Sequence, residues 1–229
     1  MIAENVKRIK AEIARGNAFG EKVTLVAAIK TQTAEAVNEA IYAGVDAVAE
    51  NKPQEFRDKN AWIAPCPRHF IGHLQTNKVK YLIGNVELIH SCDRDDLAIE
   101  IAKQSQKKGV TTGVLVQVNI GNEASKGGYA FDETAQAVER LSNMQGLRVQ
   151  GLMAMLPDSD DETLLRSLAK KMRVLFEELR KANAEIAYLS MGMSGALTFW
   201  LVVIQLSILS DSTTNPAGVP MIWSSKLGS

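Results

Sequence analysis

Short apolar runs and amphipathic stretches alternate along this chain. Residues 2–15 carry Ile2, Val6, Ile9 and Ile13 on one helical face. Val23 to Ile29 (VTLVAAI) is a nearly continuous apolar run, as expected of a strand buried on both faces. Thr33 to Ala43 returns to helical spacing and stops before Gly44. The same reading predicts further strands at 45–49, 69–72, 86–90, 113–118, 147–152 and 186–190. It predicts helices at 53–60, 75–83, 94–107, 132–143 and 161–183. In the last of these, Leu164, Leu168, Met172, Leu175 and Leu179 form a stripe expected to pack on the core.

Repeated strand–helix steps with short connections imply parallel strands, because each return needs a crossover. A doubly wound sheet and a (β/α)₈ barrel both satisfy this. The first strand is followed by Lys30-Thr31-Gln32-Thr33 rather than a GxGxxG turn, so a dinucleotide site of the common type is not expected and the barrel is favoured. Barrels carry their functional groups at the C-terminal ends of strands. In this reading Lys30, Glu50-Asn51, Gly72-His73, Asn119, Met153 and Ser190 to Ser194 follow six of the strands and converge on one rim.

Composition narrows the function. Hydrophobic residues make up 46% and charged residues 23%, which excludes a disordered chain. Lys plus Arg and Asp plus Glu are 26 each, so no electrostatic case exists for nucleic acid as a partner. Cys66 and Cys92 cannot build a disulfide framework and read as ordinary thiols. His69 and His73 have the spacing of a helical metal pair, but Gly72 between them favours a strand ending in a turn, and no metal is expected. The charged N-terminal segment has no secretory pattern, so the expected location is cytoplasmic.

Two features suggest chemistry. A lysine leaving a buried strand, as Lys30 does, is partly desolvated and offers a neutral amine able to form a Schiff base with carbonyl compounds, pyridoxal phosphate among them. A solvated, snorkelling lysine is the alternative. Ser190-Met191-Gly192-Met193-Ser194-Gly195 follows a strand with two hydroxyls and two glycines, so its backbone N–H groups can face an anion.

Seven segments then carry a resemblance: AAIKT at 27–31, AEN at 49–51 with Gln54-Glu55, HFIGHLQTNKVK at 69–80, IHSCDR at 89–94, QVNIGNEASKGG at 117–128, GLMAM at 151–155 and LSMGMSG at 189–195. In order and spacing the chain resembles the pyridoxal phosphate homeostasis protein family (YggS/PROSC-like proteins) along residues 1–195. The resemblance implies a fold-type III, modified TIM (β/α)₈ barrel similar to the N-terminal barrel of alanine racemase. It implies pyridoxal 5′-phosphate as cofactor, held as a Schiff base on Lys30, with Ser194 at the phosphate and Asn51, His73 and Met153 near the cofactor. Ser190, Gly192 and Gly195 complete the expected cofactor-binding set. The implied role is vitamin B6 and amino-acid homeostasis without robust catalysis, so no catalytic residue is assigned. PLP-dependent apo-enzymes are the implied partners and a monomer the implied state. A PLP-dependent amino-acid racemase is the alternative; it needs a second base from another domain.

The resemblance stops after Gly195. Family members continue with a charged helix and a last strand bearing an Arg-x-Gly-Thr-like segment. Residues 196–229 contain no Arg, no Gly-Thr pair, and only Asp211 and Lys226 as charges. This reads as a barrel domain at 1–195 followed by a non-matching apolar tail, as from a shifted reading frame or a replaced end. The last barrel strand is therefore expected to be atypical or missing, with part of Leu201 to Leu209 serving as a makeshift strand or helix. The apolar run Ala196 to Leu209 is shorter than the ~20 residues of a membrane span, so a membrane anchor is not the expected reading.

Overall fold

A computed structural model describes residues 2–15, 20–123, 126–193 and 201–206; for Met193 and 201–206 it describes the backbone alone. Eight strands close into a barrel in chain order. They are β1 Lys22–Ala28, β2 Ala47–Glu50, β3 Arg68–Phe70, β4 Leu88–Cys92, β5 Thr112–Val118, β6 Leu147–Leu156, β7 Tyr188–Met193 and β8 Leu201–Leu206. Strands β1 to β7 are parallel to their neighbours, whereas β8 is antiparallel to both β7 and β1. Connection length explains the exception. A parallel return needs a crossover of about a dozen residues or more. Only residues 194–200 separate β7 from β8, so the chain reverses directly. The closing strand thus comes from beyond Gly195, and its N-terminal end, Leu201 beside Ala27, lies level with the C-terminal ends of the other strands.

The helices are α1 Ile2–Ile13, α2 Ala34–Tyr42, α3 Pro53–Lys59, α4 Asp95–Lys108, α5 Thr134–Ser142 and α6 Glu162–Ala182. Two of them start at capping side chains: Thr33 accepts from the Ala36 N–H and Asp161 from those of Thr163 and Leu164. The segment expected as a helix at 75–83 is a 3₁₀ helix, Thr76–Tyr81. Its buried anchors Val79 and Leu82 are three apart, the spacing of a three-residue turn.

Period-two alternation sorts strand residues between two cores. Leu25 and Val48 face outward and pack with Val6 of α1 and Val37 and Ala40 of α2. Phe70, Ile89, Val114 and Val116 pack outward with Leu97 and Ile101 of α4, Leu141 of α5 and Phe176 of α6. The alternate residues fill the interior. Val26, Ala47 and Ala49 pack with Ile71 and Tyr188, and Leu88, Leu115 and Met153 pack with Met155 and Tyr188.

Two sequence expectations need correction. In the expected α6 stripe Met172 and Leu175 are buried and Leu168 and Leu179 pack against the core, but Leu164 is 41% exposed, and Leu165, Ala169 and Phe176 complete the buried face. Buried Arg173 lies on the same side, donating two hydrogen bonds to Glu21 at 2.8 and 2.7 Å. Strand β6 runs on to Leu156 and β7 to Met193, so Met153, Ser190 and Gly192 lie within strands rather than after them. No turn residue follows Gly151 before Pro157-Asp158, and an apolar run alone does not show where pairing ends. Among the described residues, no helix is long and apolar enough to cross a membrane.

Candidate binding site at the barrel mouth

The mouth is the rim formed by the C-terminal ends of β1 to β7. Lys30 lies two residues past β1, on the inward series Val26, Ala28, Lys30. It is half-buried, and burial lowers its ammonium pKa from the usual lysine value. Asn51 follows β2 on the inward series Ala47, Ala49, Asn51. Small residues beneath both, Ala28 and Ala49, leave room at this edge.

Asn51 is held through its backbone. Its N–H donates to Glu50 Oε1 at 2.8 Å. Its carbonyl lies against Gly72, where an added Cβ would come 2.0 Å from the Asn51 oxygen. Only glycine permits that approach. The Asn51 side-chain Oδ1 is buried and accepts no hydrogen bond among the described residues. An unsatisfied buried acceptor at a cleft is unfavourable unless a ligand or water completes it.

The other expected residues separate by depth. Gly192 is level with Met155, and among the described residues a Cβ there would meet the Met155 sulfur at 3.6 Å and no other atom. Met153 and Ser190 pair one layer below. Met153 is packed with Leu88 and Leu115. Ser190 is buried, its hydroxyl 3.1 Å from His90 Nδ1. Both therefore belong to the floor. Met155 is the methionine at rim level; the early end assigned to the sixth strand hid it. His73 is mostly exposed, with Nδ1 3.4 Å from Asp93 Oδ2. Asn119 is engaged with its own loop, donating to the carbonyls of Glu123 and Lys126. Ser194 and Gly195 lie outside the described residues.

Two groups had drawn no structural role from the sequence. His69 and His90 meet inside the barrel, Nδ1 to Nε2 at 3.1 Å. Burial lowers His69 to about 4 and His90 well below its ordinary value, so the floor is neutral near pH 7. Lys59 on α3 reaches back to the rim, with Nζ 3.2 Å from buried Glu50 and 3.1 Å from Glu55. The Glu55–Lys59 spacing of four on a helix was the only advance signal of that pair.

The mouth thus combines one desolvated amine, one unsatisfied amide oxygen and an open glycine edge over a neutral floor. Such a site can accept a carbonyl compound and react with it through the amine.

Comparison with known proteins places the chain in a family. The profile of the alanine racemase N-terminal domain matches residues 1–209. A pyridoxal phosphate homeostasis protein of Aquifex aeolicus is 38% identical over 82% of this chain and 84% of its own. The structure of PipY from Synechococcus elongatus with PLP bound superposes with a TM-score of 0.70 at 25% identity, covering 85% of this chain and 90% of that one. Alanine racemase of Clostridium difficile shares the fold alone, with a TM-score of 0.62 at 15% identity over 82% of this chain and 49% of that one. With a profile match across most of its length and a 38%-identical homeostasis protein aligned over most of both chains, this chain belongs to the pyridoxal phosphate homeostasis protein family, on the fold of the alanine racemase N-terminal domain.

Proposed function

We propose that this protein binds pyridoxal 5′-phosphate at the barrel mouth, attached covalently through Lys30, and serves vitamin B6 and amino-acid homeostasis in the cytoplasm. The observation that carries the reading is the pairing of Lys30 and Asn51 on adjacent inward series, one a desolvated amine and the other an unsatisfied buried acceptor. These residues fit the cofactor, which supplies an aldehyde that condenses with a neutral primary amine as water leaves. Lys30 provides the amine. Its lowered pKa raises the neutral fraction at physiological pH, and the proton it sheds passes to solvent at the mouth. Asn51 Oδ1 is placed to accept from a donor on the bound molecule, and the Gly192 edge admits a flat ring beside Met155. Ser194 and Gly195 are proposed phosphate contacts. His73 would sit at the outer lip, with Met153 and Ser190 supporting from below. PLP-dependent apo-enzymes are the proposed recipients, from a monomeric carrier.

The test is borohydride trapping of pyridoxal phosphate followed by peptide mapping. Label is expected at Lys30, and Lys30→Ala should abolish it while the far-ultraviolet circular dichroism is retained. The trapping rate should rise with pH and level off below the range of a solvated lysine. Lys126, paired with Glu123 at 2.8 Å, is a rival amine. Label at Lys126 or Lys78 instead would overturn the assignment. No D/L-alanine exchange is expected from the purified protein; sustained exchange would favour a racemase.

A further inference from the structure

We propose that Glu55 and Lys59 are positioning residues that aim the Lys30 amine by clamping the backbone on both sides of it; the proposal rests on Lys30 being the attachment point. Lys59 Nζ donates to the carbonyl oxygen of Ile29, the residue before Lys30, at 3.1 Å. The same ammonium contacts Glu55 Oε2 at 3.1 Å. That carboxylate oxygen in turn accepts the N–H of Thr31, the residue after Lys30, at 3.2 Å. The peptide groups flanking Lys30 are therefore tied to α3 through one ammonium–carboxylate pair. On the sheet side the Ile29 N–H is held by the Ala49 carbonyl at 2.9 Å, so the loop is fixed from two directions.

The backbone at Lys30 needs such a hold. Thr31 has φ +60°, a left-handed conformation that is unfavourable for a β-branched residue. Strained residues of this kind persist only when surrounding contacts over-determine them, and they cluster at functional sites. Without the Glu55 anchor, Thr31 is free to relax to negative φ. That would rotate the Lys30–Thr31 peptide and swing the Lys30 side chain on its Cα.

The Glu55 carboxylate stays charged through the working pH range. Burial pushes the Glu55 carboxyl up, but Lys59, the Thr31 N–H and Lys52 outweigh it and hold it at about 2. Lys52 lies 3.1 Å from the other Glu55 oxygen, and Glu50 pairs with Lys59. Two carboxylates thus face two ammonium groups, and the cluster adds no net charge beside Lys30. Its effect on Lys30 is geometric.

Glu55 is the residue to change. Removing Lys59 would leave Glu50, fully buried, without its counter-charge and threaten the fold. Glu55 is partly exposed, and Glu55→Gln keeps an oxygen to accept from Thr31. Two measurements are made on wild type, Glu55→Ala and Glu55→Gln: hydrogen exchange at the Thr31 amide without cofactor, and the pH-dependent rate of borohydride-trappable pyridoxal phosphate at Lys30. In Glu55→Ala, the Thr31 amide should exchange about tenfold faster and trapping should slow about tenfold, since a misdirected amine loses its near-attack geometry. Glu55→Gln should restore slow Thr31 exchange and a trapping rate within about threefold of wild type, because the acceptor for Thr31 is retained. Equal trapping rates in wild type and Glu55→Ala would overturn the clamp. A wild type that traps nothing at Lys30 would overturn the attachment reading and this proposal with it, whereas unchanged Thr31 exchange would overturn the clamp alone.

Discussion

His90 bridges two strands across the inside of the barrel: its Nε2 lies 3.1 Å from His69 Nδ1 on β3, and its Nδ1 lies 3.1 Å from Ser190 Oγ on β7. A neutral imidazole has one donor and one acceptor nitrogen, so two proton arrangements satisfy the chain. In one, Ser190 donates to His90 and His90 to His69; in the other, both bonds reverse. Either requires His90 to be neutral, since an imidazolium would be a buried charge with a second histidine as its neighbour.

That requirement predicts acid sensitivity. Burial lowers His69 to about 4 and pushes His90 lower still, whereas both titrate near ~6.5 when unfolded. Below ~6.5 the unfolded chain binds protons that the folded chain excludes, so their contribution is complete above that pH and is lost as pH falls toward 4. The slope should approach about 1.4 kcal/mol per pH unit for each histidine. Urea unfolding between about pH 7.5 and 4.5 measures it, and His69→Asn with His90→Asn should flatten the curve. An equally steep wild type and double variant would refute the assignment.

Gly72→Ala should damage both stability and the site. The new Cβ would lie 2.0 Å from the Asn51 oxygen and 2.7 Å from its carbonyl carbon and Cα. Backbone pressed on backbone has no side chain to move aside, so a loss of about 1–3 kcal/mol or more is expected. Because the shifted residue is Asn51, cofactor affinity should fall with the unfolding midpoint. A variant with wild-type affinity and stability would show that this edge can splay without cost.

The Arg173–Glu21 pair joins α6 to the segment entering β1. Both side chains are nearly buried, at 10% and 7% exposure. Glu21→Gln or Arg173→Met should cost about 1.5–3 kcal/mol, because each removes charge-assisted hydrogen bonds while Glu177 still faces Arg173 and Arg180 still faces Glu21. The double variant should lose less than the sum of the two, and chemical denaturation of the four proteins reads the coupling directly. Additive losses would show the pair to be independent.

The antiparallel β8 bears on cofactor retention. A parallel last strand would bring its C-terminal end to the mouth, but β8 starts there and runs away from it. Family members are expected to hold the phosphate with donors from two consecutive strand ends, and residues 196–229 lack the second recognisable set. Losing two charge-assisted hydrogen bonds at about 1.5–3 kcal/mol each corresponds to ~10²–10⁴ in affinity. The cofactor should therefore dialyse away, and replacing 196–229 with an ending that bears Arg-x-Gly-Thr should restore retention. Stoichiometric cofactor after extended dialysis of the unaltered protein would show that this tail supplies its own phosphate site.

The sequence by itself determined the seven parallel strands, because each is a charge-poor run between turn signals and each return is long enough for a crossover helix. It also singled out Lys30, where an uncharged run meets its first ionisable group. Tertiary structure decided what depends on closure and depth. The reversal of β8 came from the short 194–200 connection competing against the demand for a closed sheet. Met153 and Ser190 lie below the rim, with Met155 and Gly192 at it, because strand ends are set by pairing with neighbours rather than by apolar character. The His69–His90 contact and the Lys59–Ile29 bond join residues 21 and 30 apart in the chain. No local pattern encodes such distances; they exist only because the barrel brings one strand's interior face and one helix's final turn against the end of another strand.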